Sequence, residues 1–138
     1  MLVEKALMIA KNAHNGQVDK AGKPYITHPE YVASLVETQE EKAAALLHDV
    51  LEDTAVTVQE LACAGIPKVV IGAVCAISKE PGESYGVYLA RVKANPIARK
   101  VKIADLKHNM DLSRLPKITS ADIARERKYT QALAYLQN

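Results

Sequence analysis

The chain has 138 residues, of which 49% are hydrophobic and 25% charged, and a formal net charge of +2. That length holds one domain with a real core and excludes two ordinary ones, and no apolar run approaches membrane-spanning length. Long-range nucleic-acid binding is not expected either, because it usually needs a higher net charge and denser basic runs.

Phe and Trp are absent and six Tyr supply the aromatic content, so the core is expected to be aliphatic. The charge is unevenly spread. Residues 1–66 hold ten acids and five bases, whereas residues 67–138 hold thirteen bases and six acids. An acidic cluster facing a basic half suits a metal-dependent site for a phosphate-bearing small molecule. Cys63 and Cys75 stand in apolar surroundings without a CxxC pair, and are expected to be buried thiols of a reducing compartment. The N-terminus lacks the charged start and unbroken apolar region of a signal peptide, so the expected location is cytoplasmic.

Apolar spacing is helical nearly throughout. Leu2, Ala6, Ile9, Ala10 and Ala13 form one stripe, closed by Gly16. Residues 17–27 are polar, contain Gly22 and Pro24, and read as a loop. Thr27-His28-Pro29-Glu30 predicts a second helix, capped by Thr27 and running to about Glu37. A third helix is predicted over about 40–51. Thr57 to Glu60 is a capping-box pattern that opens a fourth, stopped by Gly65. Pro67 starts a fifth helix, to about 78, and the segment SKEPGES is a loop. A sixth covers 84–94, and Asn95-Pro96 caps and starts a seventh, about 96–112. Thr119 or Ser120 opens the last, to Leu136. No strand pair with alternating pattern and turn chemistry appears. The expected fold is all-α, one compact domain of about eight helices over residues 1–138.

The chemistry concentrates in ALLHDVLEDT, residues 45–54, where an apolar run leads into His48, Asp49, Glu52 and Asp53. Residues four apart on a helix share a face, which pairs His48 with Glu52 and Asp49 with Asp53. Carboxylates crowded this closely repel one another and are costly to bury, and a divalent cation would relieve the strain. Mixed nitrogen and oxygen donors suit a transition metal. One helix cannot surround an ion. Further donors are offered by His28 in YITHPEY and by Asp105 and Asn109, four apart in KIADLKHNM. His14, near the end of the first helix where a cation suits the dipole, is expected to be structural, although it could line the edge of the site; His108 points about a hundred degrees away from Asn109 around the helix, and both stay outside the metal set.

These residues carry a resemblance. His28, His48-Asp49 and Asp105 follow the metal-binding pattern of the HD-domain phosphohydrolases. The blocks AHNGQ (13–17), GKPYITHPEYVA (22–33), AALLHDVLEDT (44–54) and KIADLKHNM (102–110) resemble the hydrolase domain of the RelA/SpoT alarmone enzymes and their small stand-alone relatives. The resemblance implies an all-α fold and one divalent ion, usually manganese, held by His28, His48, Asp49 and Asp105. It assigns Glu52 and Asp53 to orienting and deprotonating the attacking water, and Asn109 to holding substrate near the metal. The implied activity is removal of pyrophosphate from the 3′ position of (p)ppGpp, by hydrolysis and without alarmone synthesis. Lys20, Lys23, Lys102, Lys107, Arg125 and Lys128 are candidate phosphate partners, and Arg125 with Tyr129, four apart, could wall a nucleotide pocket.

Two positions depart from the family pattern. Asp19 and Leu106 stand where the alarmone hydrolases usually carry Arg, and an acid cannot offer the flat cationic surface that stacks on a base. A second assignment therefore keeps the phosphohydrolase chemistry and changes the substrate, to a nucleoside monophosphate or the 2′-phosphate of NADPH. A third is a nucleotide-binding module without catalysis, against which the Glu52-Asp53 pair argues. The expected partner is a small phosphorylated nucleotide, with no nucleic acid and no membrane. Association between identical chains is compatible with the sequence.

Overall fold

The computed structural model describes residues 1–138. It contains nine α-helices: α1 (Leu2–Ala13), α2 (Thr27–Ser34), α3 (Gln39–Leu47), α4 (Val50–Asp53), α5 (Val58–Cys63), α6 (Lys68–Ile77), α7 (Tyr85–Ala94), α8 (Pro96–Asn109) and α9 (Ser120–Gln137). A single 3₁₀ turn, Leu112–Arg114, joins α8 to α9. The all-α expectation holds, apart from one isolated antiparallel bridge between Val18 and Pro24. No helix is long and apolar enough to cross a membrane.

The central helix is α3. Its residues Ala43, Ala44, Ala45, Leu46 and Leu47 are all buried in succession, so it has no solvent face over this stretch, as fits a helix enclosed by others. It packs against α1, α2, α6 and α8, and its alanines let those neighbours approach closely. Helix α8 contributes Ala98, Val101, Ala104 and Leu106 to the same aliphatic core and is covered by α7 and α9. Helices α2, α3 and α8 pack on one another pairwise. Their junction holds the charged residues read from the sequence.

Several boundaries differ from expectation for local reasons. The predicted third helix is cut at His48 and Asp49 into α3 and α4. The carbonyl of Ala45 accepts both the His48 amide (3.4 Å) and the His48 ring Nδ1–H (2.5 Å). The imidazole thus takes an acceptor that the continuing helix would use. Thr27 is not a cap: Ile26 holds that position, and the Thr27 hydroxyl donates to the Pro24 carbonyl at 2.8 Å. Helix α2 stops at Ser34, and Lys42 Nζ donates to the carbonyls of Ala33 (3.0 Å) and Val36 (2.8 Å) at its end. The capping boxes at Thr57 and Thr119 and the Asn95 cap are formed. Both cysteines are exposed, not buried. The core side of α6 is Val70, Ala73, Val74, Ala76 and Ile77, and Cys75 faces outward between them.

Candidate metal centre and active site

Three helices deliver the donors. Leu47 closes α3, so His48 and Asp49 emerge at the end of the central helix. His28 is the second residue of α2, and Asp105 lies in the last turns of α8. His28, His48 and Asp105 are buried, with relative exposures of 3%, 2% and 4%. Donor atoms of His28, His48 and Asp49 all lie within 4.8 Å of one another. Asp105 Oδ1 is 2.7 Å from His28 Nε2 and 3.3 Å from His48 Nε2, and Asp49 Oδ2 is 3.1 Å from His48 Nε2.

A metal ion fits this set. With Nδ1–H donating to Ala45, a neutral His48 carries its lone pair on Nε2. That buried Nε2 has no hydrogen-bond partner, although two carboxylate oxygens face it. A buried nitrogen lone pair set against carboxylate oxygens suits a divalent cation between them.

Electrostatics hold the acids ready. Burial alone would raise the Asp105 carboxyl, but Lys102, His28 and His48 outweigh it and keep it well below the usual range. Asp49 shows the same balance: burial raises it, His48 and the Tyr25 hydroxyl lower it, and the net direction is down. Burial would pull the His48 imidazole down, while Asp49 and Asp105 lift it well above its ordinary value. A proton and a metal ion therefore compete for this cluster. Glu52 and Asp53 follow one turn on, at the edge of the cluster, and both are exposed residues. Each carboxyl is pushed up, first by partial desolvation and then by the negative charge of Asp49, and Glu52 by Asp53 as well. Glu52 Oε1 accepts the Lys79 amide at 2.5 Å.

A cleft of about 280 Å³ opens beside the cluster and includes His28 and Tyr25 in its wall. Of the residues expected to bind substrate, Lys20, Asn109, Arg125 and Tyr129 line it. Asn109 also donates to Asp105 Oδ1 at 3.1 Å. Lys102 is placed differently. Its ammonium pairs with Asp105 Oδ2 at 2.9 Å, with 16% of the side chain exposed, and it is absent from the cleft wall. Spacing carries the reason, since Lys102 and Asp105 are three apart on one helix and a buried carboxylate needs a counter-charge. Lys107 lies on a separate groove with Glu37 and Glu41. Lys128 sits over the Tyr85 ring at 4.1 Å, and Lys23 is exposed outside the cleft.

The sequence reading gives no part in the site to Tyr25, Gln17 or Arg114, and it places His108 away from it. Tyr25 donates its hydroxyl to Asp49 Oδ2. His108 contacts His28 through Nδ1 at 2.7 Å, and burial with the nearby Arg114 charge holds its imidazole down to about 4. Gln17 ties His14 Nδ1 (2.9 Å) to the Asp53 carbonyl (3.2 Å), so His14 does border the site from beneath Tyr25, ring centroids 4.8 Å apart. Arg114 reaches the cleft from the far side and pairs with Asp19 at 3.5 Å. Asp19 Oδ1 meanwhile accepts the Ala21 and Lys23 amides at 2.9 and 3.0 Å. The acid thus organises its own turn. Tyr25 lies in the segment 22–33, and its reach to Asp49 has no spacing signal, since 24 residues separate them.

A family model described as HD domain matches residues 6–79, more than half of the chain. The chain belongs to the HD-domain family. The matched segment includes His28, His48, Asp49, Glu52 and Asp53. Among curated relatives, the guanosine-3′,5′-bis(diphosphate) 3′-pyrophosphohydrolase of Haemophilus influenzae is 52% identical over 58 residues, 39% of this chain and 9% of that protein. The bifunctional (p)ppGpp synthase/hydrolase SpoT of Escherichia coli is 44% identical over 63 residues, 43% of this chain and 9% of that protein. A probable GTP pyrophosphokinase of Mycobacterium leprae is 32% identical over 91% of this chain and 18% of its own length. This HD-domain chain thus spans less than a fifth of these relatives. A solved metazoan orthologue of SpoT, described as hydrolysing ppGpp, superposes with a TM-score of 0.80 over 98% of this chain and 84% of its own, at 20% identity. That likeness shows the shared fold.

Proposed function

We propose that the chain is a metal-dependent phosphohydrolase that removes pyrophosphate from the 3′ position of (p)ppGpp. The observation that carries this reading is the junction of α2, α3 and α8, where two imidazoles and two carboxylates meet at the side of a cleft whose wall includes Lys20 and Arg125, both paired with Asp122 in this structure. The curated relatives named for (p)ppGpp chemistry support the choice of substrate.

His28, His48, Asp49 and Asp105 would hold one divalent ion, manganese by the family's habit. Such an ion polarises a phosphoryl oxygen and makes water more acidic. The chain's own residues supply the rest. Glu52 and Asp53, with carboxyls pushed above their ordinary values, orient the attacking water and take its proton. Lys20 and Arg125 neutralise phosphate oxygens, and Tyr129 offers an apolar wall to the nucleoside. Lys102 keeps Asp105 ionised from behind. Water attacks the 3′-bound phosphorus as its proton passes to the carboxylate pair. The P–O bond to the ribose breaks, that proton is returned to the ribose oxygen, and the products are the 3′-hydroxyl and pyrophosphate.

One observation favours a second substrate class. Asp19 lines the cleft and is neutralised by Arg114, so that wall presents an ion pair instead of a free cation. A nucleoside monophosphate or the 2′-phosphate of NADPH is the alternative. Release of phosphate and pyrophosphate from ppGpp, pppGpp, NADPH and nucleoside monophosphates, each with Mn²⁺, Mg²⁺ or chelator, decides between them. Mn²⁺-dependent pyrophosphate release from ppGpp is expected. Turnover confined to another nucleotide would overturn the primary reading.

A further inference from the structure

His108 is an imidazole beside the cluster that the proposed chemistry leaves without a task. Its ring plane lies 7° from that of His28, with centroids 5.0 Å apart and the two Nδ1 atoms 2.7 Å apart. Face-to-face rings could not bring two nitrogens so close with centroids so far apart. The rings therefore lie edge to edge in nearly one plane, Nδ1 against Nδ1. At that distance one nitrogen donates and the other accepts, because two N–H groups or two lone pairs would repel. The face of His108 is covered by Tyr31, centroids 4.2 Å apart, and Arg114 Nη1 holds the His108 carbonyl at 2.9 Å. The ring is thus fixed from its face and from its backbone.

Nε2 of His28 points the other way, toward Asp105 and the cluster. A neutral imidazole that gives its Nε2 lone pair to a cation keeps its hydrogen on Nδ1, and the atom facing that hydrogen is His108 Nδ1. Ligating histidines usually find a carboxylate, a carbonyl or water there, and this partner fixes both tautomer and ring orientation. We propose that His108 is the positioning residue for cation binding: its Nδ1 accepts from His28 Nδ1–H and so presents the His28 Nε2 lone pair to the metal. The inference rests on the metal reading above. It assigns His108 no contact with metal or substrate.

The test uses Mn²⁺ alone, titrated calorimetrically into the full chain and into His108→Asn and His108→Leu, with metal-free thermal unfolding of each as the check on folding. Asn places Oδ1 on Cγ, as His places Nδ1, and so keeps the acceptor in position; Leu removes it. His108→Leu is expected to bind Mn²⁺ about 10–100-fold more weakly, and His108→Asn to restore most of that loss. If His108→Leu does not fold, His108→Gln, whose carbonyl sits one bond farther out, serves as the weak binder. Binding by the Leu or Gln variant equal to that of the unaltered chain would overturn the role of His108. So would an Asn variant as weak as either, since that outcome assigns the effect to ring packing. Absence of Mn²⁺ binding by the unaltered chain would sink the metal reading and this inference together.

Discussion

At the scale of single residues, the proposed chemistry divides the acidic cluster into ligands and a base. Asp49→Ala should abolish both Mn²⁺ binding and turnover. Glu52→Gln should leave Mn²⁺ affinity in place and lower turnover by about 10²–10⁴-fold, the range for a positioned proton acceptor. Calorimetry beside initial rates checks both, and an Asp49→Ala protein that still binds Mn²⁺ normally would remove Asp49 from the ligand set. Tyr25→Phe deletes the hydroxyl that donates to Asp49 Oδ2, and is expected to weaken Mn²⁺ binding about 10-fold with the fold intact. The doublet His48-Asp49, the Glu52-Asp53 pair and the two outlying donors were legible as a pattern, because carboxylates beside an apolar run demand a reason. Tyr25, Arg114 and His108 were not. Tyr25 meets its partner across 24 residues, Arg114 across 95 and His108 across 80, and no helical spacing encodes such contacts.

At the scale of elements, His28, His48 and Asp49 reach the site through the way their helices begin or end, and Asp105 through the line of α8. Helix α8 starts at the Asn95 cap, whose side chain accepts the amides of Ile97 and Ala98. Asn95→Ala should cost about 1 kcal/mol in urea unfolding. Helix α3 starts at Thr38, and buried Glu41 closes its capping box. Burial alone would raise the Glu41 carboxyl, but the amides of Glu37 and Thr38 and the Lys100 ammonium lower it below 4.5. A depressed carboxyl stabilises the fold above its unfolded value, and that contribution fades as pH falls through the folded one. Glu41→Gln should therefore be less stable than the unaltered chain at pH 7, with the gap closing below 4.5. A gap of constant size in urea unfolding from pH 7 to pH 3 would contradict this. Capping boxes and prolines made most helix starts legible in the sequence. The break at His48 was not, since it depends on a ring nitrogen taking the Ala45 carbonyl, a side-chain event that hydrophobic periodicity does not record. The outward turn of Cys75 was hidden for a related reason: α6 is apolar on both sides of the residue, and its packing partners decide which side is covered.

At the scale of the whole molecule, α3 is enclosed by four helices and ends in charge, so the protein's most buried element delivers its least buriable residues. Folding must gather His28, His48 and Asp105 from three helices into one buried junction, and a cation that binds only this assembled state stabilises it. At about 100-fold excess over its dissociation constant, Mn²⁺ should add about 2.7 kcal/mol to unfolding stability. The increment should vanish in Asp49→Ala, as read by thermal unfolding with metal and with chelator. The measurement that tests the central claim most directly is pyrophosphate release from ppGpp in Mn²⁺, run on the unaltered chain and on Glu52→Gln of matched Mn²⁺ affinity. Steady release that stops with chelator and falls at least about 100-fold in the variant is expected. No release from ppGpp by the metal-loaded chain, or equal release by Glu52→Gln, would contradict it.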